Sequence, residues 1–274
     1  MTDDFYVFFE SLNYSSEEQV RDDRKIYIPY VRHILSFVEL PLAIDYGCGR
    51  GEWLELLRDV GFRVKGVDLD QGMLKLALQK GLDVERGDGS TYLQTLPDNS
   101  VSVLTAFHVL EHLPFEKVLD FFLQSKRVLI PGGVLIVETP NLENLHVMTT
   151  NFFLDPTHIR PIPILQMISL ARYCCFNKYS VIRTKEDKNL YNKDEVTFRD
   201  LFYGISKDYG LVAQKPGGPE GLIEALDHPL SYETGISNDE IIKRLDLRLE
   251  TLSNRVRKLE SFPEQKPTNE LQQE

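Results

Sequence analysis

The sequence predicts an α/β fold built on a parallel sheet with crossover helices, and three observations carry that prediction. Short apolar runs of strand length, LAIDY from Leu42, RVKGVDLD from Arg63, VSVLTAF from Val101 and VLIVE from Val134, alternate with segments of helical spacing and with turn residues between them. A glycine loop, GCGRG from Gly47, joins the first run to the first of those helices. The 274 residues are 42% hydrophobic and 27% charged, the balance of a globular chain long enough to bury a sizeable core.

The elements follow in order. Ser16 to Val38 reads as helix, with Ser16 as N-cap, acidic residues in the first turn and Pro29 as a point of division. EWLELLRDV, closed by Gly61, and QGMLKLALQ, closed by Gly81, are the next two helices. After LDVERGD and VSVLTAFHVLEHLP comes the helix EKVLDFFLQSKRVL, then the strand in PGGVLIVETPN. Residues 141–163 are rich in turn formers and aromatics and are long for a connection, which suits a lid or binding loop. PILQMISLARYC is expected as helix, FNKYSVIRTK as strand, 186–205 as an insertion and KDYGLVAQK as the last strand. In residues 237–261, Ile242, Leu245, Leu249, Leu252, Val256 and Leu259 are spaced as a heptad seam, which predicts a coiled-coil helix. Residues 262–274 carry no core-forming pattern and are expected to be disordered.

Charge and cysteines narrow the function classes. Forty-two acidic against 31 basic residues leave a net charge of −11, which argues against a field that gathers nucleic acid. The longest apolar runs are far short of a bilayer span, and the acidic start lacks the features of a secretory signal, so the reading is cytoplasmic. Three cysteines, Cys48, Cys174 and Cys175, are expected as reduced thiols rather than a disulfide framework.

The most specific constellation lies where the first strand runs into the glycine loop. Asp45 ends the strand, and Gly47, Gly49 and Gly51 permit a tight turn against which a ligand can lie on bare backbone. Asp68, with Leu69 beside it, ends the second strand, where a carboxylate accepts hydrogen bonds from ribose hydroxyls. Asp88 and Gly89 follow the third strand, placed for an adenine amino group, and Phe107 ends the fourth, its backbone toward the far end of the ligand. The spacing is G-x-G-x-G rather than the G-x-G-x-x-G of a dinucleotide site, and Asp45 suits a cationic amino group. S-adenosylmethionine fits these features better than a pyrophosphate-bearing cofactor. Purely structural glycines are the competing reading.

With DYGCGRG, GVDLD, RGDG, AFHVLEHLP and PGGVLIVETPN in this order, the chain resembles the class I S-adenosylmethionine-dependent methyltransferases over residues 16–215. More narrowly, VETPNLENL, NFFLDPTHIRPIP and DYGLVAQKP are similar to the bacterial O-antigen chain-terminating methyltransferases. The resemblance implies a Rossmann-like, mostly parallel seven-stranded sheet with helices on both faces and an antiparallel last strand, followed by a coiled coil. Residues 1–40 would then be an N-terminal helical segment and 41–218 the catalytic domain. It also implies an O-methyltransferase that caps the terminal sugar, or its phosphate, of a lipid-linked polysaccharide. A homo-oligomer through the C-terminal helix, a glycosyltransferase partner and a peripheral place at the inner membrane face belong to the same expectation. A lipid or quinone acceptor, or a non-catalytic adaptor, are the alternatives.

The stretch AFHVLEHLP carries the chemistry. His108, Glu111 and His112 share one face if the segment is helical. A histidine near neutral pKa suits the removal of a proton from an acceptor hydroxyl, with Glu111 orienting the ring. The same residues also suit a divalent metal, since related enzymes resemble this pattern with E-x-x-E-H around magnesium. Here His108 replaces the first glutamate, and hard cations prefer oxygen. A capping or packing role is the third reading. In the lid, His158 is a further base or metal candidate, while Asp155 and Arg160 are candidates for binding the acceptor.

Overall fold

The structure, a computed structural model, describes residues 15–261. The expected disordered tail, 262–274, and the first 14 residues of the N-terminal segment lie outside the described residues. Seven strands, β1 (Leu42–Tyr46), β2 (Arg63–Asp68), β3 (Val84–Arg86), β4 (Val101–Phe107), β5 (Leu129–Pro140), β6 (Lys178–Thr184) and β7 (Asp208–Gln214), form one sheet in the order β3-β2-β1-β4-β5-β7-β6. Strands β1 to β5 pair in parallel, whereas β7 runs antiparallel to both β5 and β6. Strand order reverses between β1 and β4, so their carboxyl ends open a crevice there, where sheets of this kind bind ligands.

Because successive strand residues point to opposite faces, the sheet separates two cores. Val103, Phe107, Val134 and Ile136 pack with Trp53, Leu54 and Leu57 of α3 (Glu52–Val60) and with Leu74 and Ala77 of α4 (Gln71–Gln79). On the other face, Leu104, Ala106, Leu135 and Val137 meet Leu93 of α5 (Gly89–Thr95), Phe121 and Phe122 of α6 (Phe115–Val128) and Met167 and Leu170 of α8 (Ile164–Tyr173). Each buried Val, Leu, Ile, Phe or Met side chain among them contributes about 1.5–3 kcal/mol relative to exposure.

The N-terminal segment is not one helix. Ser16 caps α1 (Glu17–Arg24) by accepting from the Gln19 N–H at 3.3 Å, and a 3-10 turn over Lys25–Tyr27 follows. Pro29 then opens a new turn, α2 (Pro29–Arg32), because proline is tolerated at a first helical position and not within a helix. Tyr27 is fully buried in the first core, against Trp53 and Phe107.

The lid contains α7 (Leu145–Thr149), capped by Asn144, and a 3-10 turn over Asn151–Leu154. Past β7 lie α9 (Glu220–Glu224) and the long α10 (Asn238–Glu260), capped by Ser237. Where a coiled coil is expected the structure holds a single long helix, and its first turns dock on the insertion. Ile241 and Leu245 are buried with Leu190, Val196, Ile205 and Ile236 in a third small core, while Arg244 and Arg248 donate to backbone carbonyls of the insertion. The docked face runs through Ile241, one residue off the expected seam at Ile242. The seam residues beyond Leu245, from Leu249 to Leu259, are 44–69% exposed.

Candidate active site

The glycine loop is shaped by backbone geometry. Gly47, Gly49 and Gly51 all have positive φ (75°, 53° and 81°), a region costly for any residue with a Cβ. A Cβ on Gly47 would strike Val109, and one on Gly51 would strike Leu82, so these two glycines serve packing as well as the turn. At Gly49 a Cβ would meet nothing within 4 Å: the loop is open on that side, where a ligand can lie against it.

Two carboxylates face the loop. Asp68 accepts from the Gly49 N–H and the Asp70 N–H, each at 2.8 Å, which leaves each oxygen a further lone pair; burial raises its pKa. Asp45 is buried and accepts from the Thr105 hydroxyl at 2.6 Å through Oδ1, while its Oδ2 has no hydrogen-bond partner. Burial pushes Asp45 up to about 7, opposed by the positive charge of Arg24 and by the Thr105 hydroxyl. An unpartnered buried carboxylate oxygen is costly, and a ligand ammonium relieves it. Arg24 lies 4.4 Å over the Phe107 ring at the same end of the sheet. These residues fit the amino-acid end of S-adenosylmethionine at Asp45 and its ribose at Asp68.

Asp88 is also the N-cap of α5, its Oδ1 accepting from the Thr91 N–H at 2.9 Å; that bond leads the causes that lower its pKa. Gly89 lies against the Tyr46 ring, so closely that a Cβ there would collide with it. Leu69 is largely exposed, and Phe107 has its ring in the core against Trp53 at 5.5 Å.

His108, Glu111 and His112 are not on a helix. His108 has a left-handed backbone (φ 54°), Leu110–His112 is a single 3-10 turn, and α6 begins only at Phe115 because Pro114 occupies its N-cap. Glu111 lies between the two histidines, within reach of both, and the two rings take different surroundings.

His108 enters a buried charged network. Its Nδ1 is 3.4 Å from Glu111 Oε1, and its Nε2 is 3.4 Å from Glu138 Oε1 and 3.5 Å from Asp208 Oδ2. Tyr27 donates to Glu138 at 2.6 Å, and Lys185 pairs with Asp208 at 2.6 Å. Burial alone would lower the His108 pKa, but Asp208, Glu111 and Glu138 overcome it and raise it well above the usual value. The surrounding carboxylates therefore favour the imidazolium form of His108, which has no lone pair with which to accept a proton. Burial likewise penalises Glu138 and Asp208, yet His108 and Lys185 hold both below the usual carboxylate range.

His112 differs. Burial is the largest influence and lowers its pKa, with Glu111 and Asp155 opposing, so the ring is neutral at neutral pH. Its Nδ1 is 2.8 Å from the Thr157 hydroxyl, and its ring lies 4.6 Å from that of His158. The His158 Nδ1–H donates to the Phe152 carbonyl at 2.6 Å. Each ring therefore commits Nδ1 to the protein. The lid is tied to the turn, since the Ile159 N–H donates to the Glu111 carbonyl at 2.9 Å. Glu111 is fully buried, with no hydrogen-bond donor on either carboxylate oxygen. Asp155 accepts from the Thr157 hydroxyl at 2.6 Å. Arg160 donates to Gln166 of α8 at 2.6 Å and lies 5.3 Å over the Phe115 ring of α6, so its guanidinium is already engaged with the two helices that flank the lid.

The donor atoms of Glu111, His112 and His158 lie within 4.8 Å of one another, as do those of His108, Glu138 and Asp208. The second group includes two residues that sequence reasoning missed, Glu138 and Asp208, and Lys185 and Thr157 were missed as well. A polar residue at the end of an apolar strand run, Glu138 in VLIVETP, was the available signal for one of them. The other signals are distributed along the chain.

Residues 44–137 match the family described as a methyltransferase domain. A probable S-adenosylmethionine-dependent methyltransferase of Mycolicibacterium smegmatis is 38% identical over 99 residues, 36% of this chain and 38% of that protein. A ubiquinone biosynthesis O-methyltransferase of Idiomarina loihiensis is 34% identical over 106 residues, 36% of this chain and 42% of that protein. The chain thus spans well under half the length of these curated relatives. Among solved structures, a SAM-dependent methyltransferase from Archaeoglobus fulgidus superposes with a TM-score of 0.67 at 26% identity, covering 77% of this chain and all of that one.

Proposed function

We propose that this chain, built on a class I S-adenosylmethionine-dependent methyltransferase domain, transfers a methyl group to a hydroxyl of a small acceptor with an apolar part. The observation that carries the reading is the buried, unpartnered Asp45 oxygen on the strand that runs into the glycine loop, with the His112 imidazole in the turn that follows the neighbouring strand β4. When bound, the cofactor supplies an electrophilic methyl carbon on a sulfonium.

The chain's own groups do the rest. Asp45 binds the ammonium and Asp68 the ribose. His112 takes the proton of the acceptor hydroxyl as its oxygen bonds to the methyl carbon. Because positive charge is lost as the methyl moves, positioning contributes more than charge stabilisation. The His108 imidazolium and Lys185 balance Glu138 and Asp208 and keep the strand ends in place.

The acceptor class follows the ubiquinone-pathway relatives more closely than the saccharide expectation. Exposed Phe153 and Leu154 on the lid, with Tyr203 of the insertion 4.9 Å from the lid's His146 ring, support an apolar contact surface on the lid. Aromatic rings also stack on sugars, so a polysaccharide end remains the second reading, with the O-antigen role and a glycosyltransferase partner attached to it. Among the described residues no helix is long and apolar enough to cross a membrane.

Incubation with methyl-labelled cofactor and two panels, alkylated dihydroxybenzenes and oligosaccharides, tests this by mass spectrometry. Label on the aromatic hydroxyls is the expected result. Label on the sugars alone overturns the acceptor class, and absence of cofactor binding by calorimetry at high micromolar concentration favours an adaptor and overturns the enzyme reading.

A further inference from the structure

Thr157 lies between a carboxylate and the His112 ring. Its hydroxyl is 2.6 Å from Asp155 Oδ1 and 2.8 Å from His112 Nδ1, and its N–H also donates to Asp155 Oδ1 at 2.8 Å. A hydroxyl has one hydrogen to donate. The ionised carboxylate only accepts, so that hydrogen goes to Asp155, and the Thr157 oxygen is left to accept from His112. His112 must then carry its proton on Nδ1, with its lone pair on Nε2.

We infer that Thr157 is a positioning residue: with Asp155 behind it, it sets the His112 tautomer so that Nε2 is the basic nitrogen. The inference rests on the proposed role of His112 as the base. In the transfer step the acceptor oxygen forms its bond to the methyl carbon while the carbon–sulfur bond breaks, its electron pair passing to sulfur and neutralising the sulfonium. The hydroxyl proton goes to His112 Nε2. The imidazolium so formed donates from Nδ1 to Thr157, whose own O–H goes on donating to the Asp155 carboxylate. No proton need travel along the chain; the carboxylate stabilises the new charge through an oriented hydroxyl, as a buried acid does in a serine-hydrolase triad.

The geometry has a second consequence. Asp155 and Thr157 belong to the lid, whereas His112 belongs to the turn after β4, so the base is oriented only when the lid is seated on the turn. The Ile159 N–H to Glu111 carbonyl bond, 2.9 Å, holds that seat.

The test separates a tautomer effect from a packing effect. In protein labelled with ¹⁵N-histidine, His112 assigned through a His112→Gln variant, the wild-type ring is expected to show the Nδ1–H form. Thr157→Val keeps the shape and removes the hydroxyl; it is expected to populate the other tautomer and to lower kcat about tenfold to a hundredfold, within the range for general-base effects. Cofactor affinity and Tm are expected to hold, and Thr157→Ser is expected to restore both the tautomer and the rate. An Nε2–H form in the wild type, or a Thr157→Val variant with unchanged kcat, overturns the inference. If His112→Gln also retains wild-type turnover, the base assignment itself fails; if it abolishes turnover while Thr157→Val does not, only the Thr157 role fails.

Discussion

A carboxylate with one satisfied oxygen and one unsatisfied oxygen, both buried, has its ionisation set by what arrives next to it. Asp45 at about 7 without a cofactor must be ionised to hold an ammonium, and the groups facing it are Arg24, Thr105, Asp68 and Glu52. The proton is bound below that pKa, so cofactor affinity falls as pH drops through it. Kd is expected to be about tenfold weaker at pH 6 than at pH 8. Calorimetry at both values checks this, and Asp45→Asn should weaken binding and flatten the pH dependence. His112 works in the other direction from an ordinary histidine: burial lowers it, His158 and His108 lower it further, and Glu111 and Asp155 only partly compensate. At saturating cofactor, kcat should persist below the usual histidine range, about pH 6.5, and fail only as the ring protonates at still lower pH. An acid limb above that value would count against His112 as base. The choice among the three imidazoles was not legible at this scale, because His108 and His112 are near neighbours in sequence and acquire opposite charge states only from Glu138, Asp208 and the lid.

Among elements, the glycine loop separates strain from binding. Gly47→Ala should lose about 1–2 kcal/mol to its left-handed backbone, and about 1–3 kcal/mol more as Val109 is displaced. Gly49→Ala carries the backbone strain but meets no neighbour, so its Tm should fall less while its cofactor affinity falls more. Thermal denaturation paired with calorimetry reads both, and equal effects at the two positions would contradict an open cradle at Gly49. The turn after β4 shows how one residue redirects an element. Helical spacing of His108, Glu111 and His112 suggested a shared face, yet Pro114 delays the helix until Phe115, and the preceding residues form a tighter turn. Donor atoms of Glu111, His112 and His158 still come within reach of one another, which gives the metal alternative a direct check. Exhaustive dialysis against a chelator should leave turnover unchanged; loss of activity restored by a divalent ion would replace the general-base mechanism by a metal-assisted one.

At the scale of the whole molecule, the third core joins the insertion to the long C-terminal helix. Cutting the chain before Asp239 removes Ile241 and Leu245 from that core and should destabilise the protein by several kcal/mol, about 2–5 for each large aliphatic side chain lost. Ending it at Leu249 keeps both. That shorter chain should retain Tm and cofactor affinity while losing any self-association carried by exposed Leu252, Val256 and Leu259, which light scattering against the full chain measures. Equal masses for the two would leave the heptad spacing without a role in assembly.

Strand runs, glycine loop, acidic strand ends and a long terminal helix were all determined by the sequence alone, because each depends on local periodicity or on backbone freedom within a few residues. Asp45, Asp68 and the three loop glycines could be named for the same reason: the unit of strand, turn and helix that contains them is nearly contiguous. What the tertiary structure decided is which carboxylates surround His108, which lid groups meet His112, and which face of the last helix is covered. Those outcomes depend on Tyr27, Glu138, Thr157, Lys185 and Asp208, drawn from five separate segments. Burial and Coulomb interactions act through space, so no spacing rule along the chain encodes them.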